Sequence, residues 1–97
     1  MSIYILLGTF TAQGAKNIKE TIHRVEGIRE LAKSLGITVR DAYWTHGQFD
    51  TALIVDAPSE AALTAFGLSI GAQGNVHTQT LRAFTEEEMR KILEHVK

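Results

Sequence analysis

The sequence predicts an α+β domain in which an antiparallel four-stranded sheet carries its helices on one face. Three observations support this class. Residues 3–10 are apolar at nearly every position, two strand-like stretches flank Gly47 and Gln48, and apolar residues recur at helical spacing after the first strand and again after the hairpin. The resulting order is β-α-β-β-α-β, followed by one further helix.

The first strand, residues 3–10, is apolar on both of its sides, which is typical of a central strand covered on both faces. Residues 11–16 contain Gly14 and several polar side chains and are predicted to form a loop. The first helix follows, with a capping box predicted at Asn17 and Glu20 and a left-handed stop at Gly36. The apolar stripe of this helix is predicted to consist of Ile18, Ile22, Val25, Ala32 and Leu35.

Gly27 lies inside this helix and weakens it by about 1 kcal/mol relative to alanine. We therefore expect the helix to bend at this point, or to begin in earnest only near Thr21.

Residues 37–46 and 49–56 are predicted to form a hairpin, because glycine at position 47 suits the first central position of a type II′ turn. The expected pairs are His46 with Phe49, Thr45 with Asp50, Trp44 with Thr51, and Tyr43 with Ala52. Opposed residues share a face. The face expected to lie under the helices carries Ala42, Trp44, Phe49, Leu53 and Val55. The other face carries Asp41, Tyr43, Thr45, Asp50, Ala52 and Ile54.

Pro58 and Ser59 are predicted to open the second helix, and Gly71 or Gly74 to end it. Its apolar stripe is predicted to consist of Leu63, Phe66, Gly67 and Ile70. Residues 76–84 are threonine-rich and indicate a strand near a sheet edge. Thr85 and Glu88 predict a capping box for the last helix. The buried side of that helix is predicted to consist of Met89, Ile92, Leu93 and Val96.

Length and composition limit the domain organisation and the classes of partner. A chain of 97 residues is enough for one domain and too short for two, so residues 1–97 are expected to form a single domain. Ten basic and eleven acidic side chains give a net charge of -1, which argues against nucleic acid as a partner. The absence of cysteine removes disulfides, thiolate metal sites and cysteine nucleophiles. The apolar N-terminal stretch is too short to span a bilayer, so we expect a soluble cytoplasmic protein with no membrane partner.

The predicted topology is the ferredoxin-like split βαβ fold, with the strands in the spatial order 4-1-3-2. Its helices cover only one face of the sheet, whereas the first and third strands are also apolar on the other face. An exposed apolar surface of that size is typical of an association surface. We therefore expect a homodimer or a higher homo-oligomer, whose sheets pack face to face and enclose a pocket.

Several blocks of the sequence occur together in a fixed order: T-A-Q-G-A-K-N-I-K from residue 11, Arg24, Y-W-T-H-G-Q-F-D-T-A-L-I-V-D-A-P from residue 43, and G-N-V-H-T-Q-T-L-R-A-F from residue 74. This pattern resembles the GYD domain family, which is named for a glycine, an aromatic residue and an aspartate at the turn into the third strand. Gly47, Phe49 and Asp50 stand at the naming positions. Gln48 lies between the glycine and the aromatic residue, and Phe49 replaces the tyrosine that the name implies, which removes one hydroxyl.

The resemblance implies a ferredoxin-like domain of the dimeric α+β barrel type and no defined reaction, because the family is largely uncharacterised. Related barrel families include cofactor-free monooxygenases, muconolactone isomerases, haem-binding peroxidases and effector domains of transcription regulators. Fold alone does not choose among these activities.

Asp50 is the first candidate for a functional residue, because a carboxylate near the start of a central strand is costly to desolvate unless it is paired. It is interpreted either as a general base or ligand anchor, or as a structural acceptor of hydrogen bonds from the backbone or from Thr45. Tyr43 is expected to orient a ligand through its hydroxyl or to bond the backbone, and its neighbour Trp44 to lie under the helices.

The four histidines show no local metal-binding spacing, and no metal or cofactor is expected. His46 and His77 are expected at opposite edges of the sheet, where only a dimer would bring them together. The predicted ligand-binding residues are Asp50, Tyr43, Thr45, His46 and His77, and no catalytic residue is assigned.

Two functional hypotheses follow. The first is a homodimeric small-molecule-binding protein or cofactor-independent enzyme with a pocket beside Asp50. The second is an oligomeric scaffold or effector-sensing module without catalysis, in which Asp50 is purely structural. A haem protein is a third option, and a lack of Soret absorption in the purified protein would exclude it.

Overall fold

A computed structural model describes the whole chain, Met1–Lys97. Its strands are β1 (Ser2–Phe10), β2 (Thr38–Trp44), β3 (Thr51–Ala57) and β4 (Val76–Ala83). Its helices are α1 (Ala12–Lys16), α2 (Thr21–Ser34), α3 (Glu60–Ala72) and α4 (Glu86–Leu93), and a 3₁₀ turn, Ile18–Glu20, separates α1 from α2. The strands form one antiparallel sheet in the order β2-β3-β1-β4. The predicted fold class, a ferredoxin-like βαββαβ domain with a C-terminal helix, is therefore confirmed.

The hydrophobic core lies between the sheet and the helices α2 and α3. Leu6 of β1 lies opposite Leu53 of β3, and both side chains are buried. Phe66 of α3 is completely buried against this layer, and burial of a side chain of this size stabilises the fold by about 1.5–3 kcal/mol. The remaining core residues are Tyr4, Ile28, Ala32, Ile37, Val39, Val55, Ala57, Leu63 and Ile70.

The hairpin face that was predicted to lie under the helices does so. Leu53 and Val55 are buried, and Ala42 packs against the core. Trp44 is on this side but is not the core residue that was predicted: its indole Nε1 donates a hydrogen bond to Thr21 Oγ1 of α2 at 2.9 Å, and the side chain stays 42% exposed. Phe49 is the exception, because it lies in the loop before β3 and is not part of the sheet.

The predicted loop at residues 11–16 is wrong, because this segment forms α1. Thr11 caps the helix, and its side-chain oxygen accepts a hydrogen bond from the Gly14 N–H at 3.0 Å. The capping box predicted at Asn17 and Glu20 is also wrong, since neither side chain caps the following helix. The helix α2 begins at Thr21, which was one of the two alternatives expected from Gly27, and Gly36 follows it in the left-handed conformation with φ of +73°.

The apolar stripe of α2 also needs a correction. Ile18 and Ile22 remain 40% and 56% exposed, whereas Ile28, absent from the predicted stripe, is buried. Because α2 begins only at Thr21, its inward face follows positions 21, 25, 28, 32 and 35, which are spaced by three and four residues. Ile22 is rotated by about 100° from this face, the angle between successive residues of a helix.

The hairpin is only partly as predicted. Trp44 pairs with Thr51 and Tyr43 with Ala52, as expected. Residues 45–50 form a loop rather than a two-residue turn, so the predicted pair of His46 with Phe49 is wrong. Gly47 does turn the chain, with φ of +126°. Thr45 and Asp50 keep a single backbone bond, from the Thr45 N–H to the Asp50 carbonyl at 2.8 Å.

The second half of the chain follows the prediction up to its last helix. Ser59 caps α3 through a hydrogen bond to the Ala62 N–H, and the predicted Leu63, Phe66 and Ile70 are buried. The edge position of β4 is confirmed. Thr85 and Glu88 form the predicted capping box of α4.

The predicted buried side of α4 is wrong for the single chain. Met89, Leu93 and Val96 are 43%, 56% and 66% exposed, and only Ile92 is half-buried. The reason is position, since α4 follows an edge strand and does not join the helical layer that α2 and α3 form on the sheet. None of the helices has the length and the hydropathy that crossing a bilayer requires.

Candidate functional site

The sheet has an open face, defined as the side opposite α2 and α3. Across its centre, Ile5 of β1 lies between Ile54 of β3 and Leu81 of β4. Leu81 is 40% exposed and the two isoleucines are half-buried. The apolar residues of the open face are Ile3, Ile5, Leu7, Ala52, Ile54, Leu81 and Ala83. The chain covers the other face of its sheet and leaves this one apolar and accessible, as the sequence predicted.

Asp50 closes one end of the open face. Its backbone N–H donates to the Gly8 carbonyl at 2.8 Å, and its Oδ2 accepts a hydrogen bond from the Phe10 N–H at 2.8 Å. The pairing of β1 with β3 ends at Thr51. Beyond that point the Asp50 carboxylate, rather than a backbone carbonyl, accepts the next hydrogen bond from β1. The Oδ1 atom is not used in this bond. Asp50 is thus fixed through one oxygen, and its second oxygen can accept a further donor.

Two other predicted site residues lie at the same end of this face. His77 pairs with Thr9 of β1. Thr9 lies between Gly8 and Phe10, the two residues to which Asp50 is hydrogen-bonded. Asp50 and His77 are therefore separated by two strand spacings, about 10 Å. Tyr43 pairs with Ala52 and is 54% exposed. The fold thus brings Asp50, Tyr43 and His77 to one rim of the open face.

The remaining two predicted residues lie in the loop beyond this rim. Thr45 donates its hydroxyl hydrogen to the Phe49 carbonyl at 2.5 Å and does not bond to the Asp50 carboxylate. His46 is exposed in the same loop, beyond the end of β2. Because β2 and β4 are the two outer strands, His46 and His77 lie towards opposite edges of the sheet, as expected. No three His, Asp or Glu side chains come together as metal ligands do.

A second candidate site, absent from the sequence prediction, lies on the helix side. A partly open cavity of about 40 Å³ lies between α2 and the sheet. It is lined by Leu6, Phe10, Thr21, Arg24, Val25, Ile28, Thr51, Leu53, Ile70, Val76 and Thr78. Arg24 is the one charged residue among them. The available signal in the sequence was the position of Arg24, three residues after Thr21 and four before Ile28 on the inward side of α2.

The guanidinium of Arg24 is held without a carboxylate. Its Nη1 donates to the Asn17 carbonyl at 3.0 Å and its Nη2 to the Gly14 carbonyl at 3.3 Å. Its Cζ lies 5.9 Å from the centre of the Phe10 ring, within the range of a cation–π contact. The three salt bridges of the chain involve Arg40, Arg82 and Arg90 and leave Arg24 without an acidic partner.

The segment that receives Arg24 is itself docked on the turn before β4. The Thr11 hydroxyl donates to the Gly74 carbonyl at 2.7 Å, and the Gln13 side chain donates to Asn75 Oδ1 at 2.9 Å. A Cβ at Gly14 would lie 2.0 Å from the Asn75 carbonyl oxygen, so only glycine permits this approach. Sequence blocks that carry the family resemblance therefore meet at one end of the cavity.

The comparisons with known proteins define a family and no activity. No curated protein and no solved structure matches the chain. The family model described as the GYD domain matches residues 4–93, nearly the full length. Over that span the chain belongs to the GYD domain family.

Proposed function

We propose that the chain forms a cytoplasmic homodimer in which two sheets pack through their open faces, as in a dimeric α+β barrel. In this assembly it binds a small organic ligand at the interface or acts on one as a cofactor-independent enzyme. The observation that carries the proposal is the uncovered apolar face of the central strands, where Ile5, Ile54 and Leu81 lie side by side. Contiguous apolar patches larger than a few hundred Å² are rare on monomeric soluble proteins and mark association surfaces.

The C-terminal helix supports the same assembly. Met89 and Leu93 of α4 are 43% and 56% exposed and have no apolar partner layer in their own chain. A second copy would cover both the open face and this helix.

The rim of the open face would supply the polar groups of the ligand site. Oδ1 of Asp50 can accept a ligand hydrogen bond while Oδ2 stays fixed by the Phe10 N–H. Tyr43 and His77 lie at the same end of the sheet. Thr45 and His46 extend the rim through the adjoining loop. In the dimer these five side chains, Asp50, Tyr43, Thr45, His46 and His77, would surround the end of the sheet interface.

One observation favours the second candidate function, an oligomeric scaffold or effector-sensing module without catalysis. The Asp50 carboxylate already has a structural partner in the Phe10 N–H, which gives it a role that needs no ligand. This candidate shares the dimer and differs only in the absence of a reaction or ligand at the rim.

The oligomeric state tests the dimer through a matched pair of substitutions. Ile5→Glu places a charge at the centre of the open face, whereas Ile22→Glu places the same charge on the exposed side of α2, away from the sheet. Analytical ultracentrifugation should show the wild type and Ile22→Glu at twice the 10.7 kDa chain mass, and Ile5→Glu at the monomer mass. Circular dichroism would establish that both variants are folded. A monomeric wild type at micromolar concentration, or a dimeric Ile5→Glu, would contradict the proposal.

The two candidate functions differ in whether the purified protein carries a bound molecule. Native mass spectrometry of protein purified without dialysis should show a bound molecule on the wild type that is lost from Asp50→Asn with the dimer intact. If the wild-type dimer carries no molecule, or if Asp50→Asn keeps it with unchanged occupancy, the scaffold function replaces the ligand-binding one.

A further inference from the structure

We propose that the helix-side cavity of each subunit binds a small monocarboxylate, with its carboxylate at Arg24 and its short apolar tail inside the cavity. This site lies on the opposite side of the sheet from the rim that Asp50 forms. It is complete within one chain, so it does not depend on the proposed dimer.

The positive charge of Arg24 favours a negatively charged ligand. The side chain is half-buried and forms no salt bridge, although the chain has more acidic than basic groups available to pair. A guanidinium has five N–H donors in a planar fork, and the carbonyls of Asn17 and Gly14 account for two of its hydrogen bonds. The remaining donors suit a carboxylate, whose hydrogen bonds with a guanidinium are among the stronger ones in proteins.

The lining of the cavity determines the polarity of the rest of the ligand. Seven of the eleven lining residues are hydrophobic, so the part of the ligand inside the cavity must be apolar. Thr78 on β4 and Thr51 on β3 add hydroxyl groups to the lining. A single arginine supplies one positive charge, which matches a monocarboxylate better than a dianionic phosphate.

The size of the cavity limits the tail to a few carbon atoms. Its volume is about 40 Å³, whereas pockets for drug-sized ligands span about 300–1,000 Å³. An acid with a short branched tail, such as isobutyrate, is the largest class that this space favours. Fused ring systems and long acyl chains are excluded without movement of α2.

Trp44 is a built-in reporter for this site. It is the one tryptophan of the chain, and its Nε1 donates to Thr21 Oγ1, which belongs to a residue of the cavity lining. Ligand entry beside Thr21 should therefore change the tryptophan emission. The amide NMR signals of Phe10, Val25 and Thr78 provide an independent readout at the cavity wall.

The experiment is a titration of the wild-type protein with isobutyrate, with isobutyramide as the uncharged control and isobutylamine as the cationic one. Isobutyrate should give saturable changes in both readouts. The amide should bind about tenfold or more weakly, because a hydrogen bond to a charged group contributes more than one between neutral groups. The amine should not bind.

Three variants assign the site to its residues. Arg24→Gln should abolish the preference for isobutyrate over isobutyramide, but it also removes bonds that fasten α1 to α2 and so lowers stability. Thr78→Ile avoids that problem and should weaken isobutyrate binding several-fold, because the larger isoleucine side chain takes up part of the cavity. Thr80→Ile is its matched control, since Thr80 lies two residues further along the same strand and outside the cavity lining.

The proposal is overturned if isobutyrate gives no saturable change, if the amide binds as tightly as the acid, or if Thr78→Ile and Thr80→Ile behave alike. The independence of this site from the dimer is tested by repeating the titration with the Ile5→Glu variant. Retained binding in that variant would place the carboxylate site within one subunit, whereas lost binding in a folded monomer would contradict the proposed single-chain site.

Discussion

Asp50 bonds to Phe10 across the end of the central strand pair, where its Oδ2 accepts the Phe10 N–H at 2.8 Å. A side chain thus occupies the place of a backbone acceptor, and β3 begins at the next residue, Thr51. The geometry explains why a carboxylate is tolerated beside two apolar strands. Its charge is partly compensated by a backbone donor that would otherwise lose its partner.

Removal of this acceptor should destabilise the sheet. Asp50→Ala leaves the Phe10 N–H without its partner, and such a loss costs about 1–3 kcal/mol of unfolding free energy. Asp50→Asn retains a carbonyl oxygen and should cost less than Asp50→Ala. Urea denaturation followed by circular dichroism measures both. Asp41→Ala is the control, because Asp41 is exposed in β2 and forms no salt bridge. Equal stability of Asp50→Ala and Asp41→Ala would contradict the structural role of Asp50.

Two glycine-to-alanine substitutions should have opposite signs. At Gly14 the added Cβ would lie 2.0 Å from the Asn75 carbonyl oxygen, so Gly14→Ala must displace α1 from the turn before β4. Overpacking of this kind costs about 1–3 kcal/mol. At Gly27 nothing lies within 4 Å of the new Cβ, and alanine should stabilise the interior of α2 by about 1 kcal/mol. Thermal unfolding should show a lower Tm for Gly14→Ala and a higher Tm for Gly27→Ala, and any other order would contradict the close packing of α1.

Acid should loosen the last helix. The hydrogen bond from the Thr85 N–H lowers the pKa of Glu88 below its ordinary value, with smaller contributions from the Thr85 hydroxyl and from Arg82, while desolvation acts in the opposite direction. Because the folded-state pKa is the lower one, this group contributes stability above the ordinary glutamate pKa. The contribution is lost as the pH falls through the folded-state pKa.

The measurement for Glu88 is a carboxyl-detected NMR titration together with the Cα shifts of α4. The shifts should lose helical character as Glu88 becomes protonated, and Glu88→Gln should weaken the pH dependence. Glu87→Gln is the control, because Glu87 shares the first turn but does not take part in the capping box. A pKa of Glu88 at or above the ordinary glutamate value would contradict the capping geometry.

The core depends on Phe66 far more than on its exposed neighbour Leu68. Phe66 is completely buried, whereas Leu68 is 70% exposed on the same helix. Phe66→Ala should lower the unfolding free energy by about 3–5 kcal/mol, and Leu68→Ala should change it by about 0.5 kcal/mol or less. Chemical denaturation of the two variants checks this difference. If Leu68→Ala were as damaging as Phe66→Ala, Leu68 would have to be buried in an assembly.

The sequence was sufficient for the strand order and for most of the buried faces. Alternation along β3 placed Leu53 and Val55 under the helices, and the Ser59 cap and the Thr85 capping box were readable as local patterns. Local patterns failed where a distant partner decides the conformation. The turn at Gly47 was predicted as a tight hairpin, but residue 50 bonds to β1, forty residues away in the chain. The hydrogen bonds between Asp50 and β1 compete with pairing inside the hairpin, so the end of the hairpin forms a loop.

The two candidate sites also differ in whether local sequence patterns could predict them. Alternation was enough to place Tyr43 and Asp50 towards one side of the sheet, because a strand reverses its side chains at every residue. The helix-side cavity was not predictable, because it depends on how tightly α2 packs on the strands. The importance of Arg24 likewise follows from what it lacks, an acidic partner, and pairing between distant side chains is visible only in three dimensions.

The irregularity in β2 affects how the outer edge of the sheet can pair with another strand. The register of β2 against β3 shifts between Val39 and Asp41, and Arg40, which the shift skips, pairs with Asp56 at 3.4 Å. A bulge with a charged side chain on an outer strand blocks the addition of further strands along that edge. Extension of the sheet by a strand of another chain is therefore disfavoured on this side.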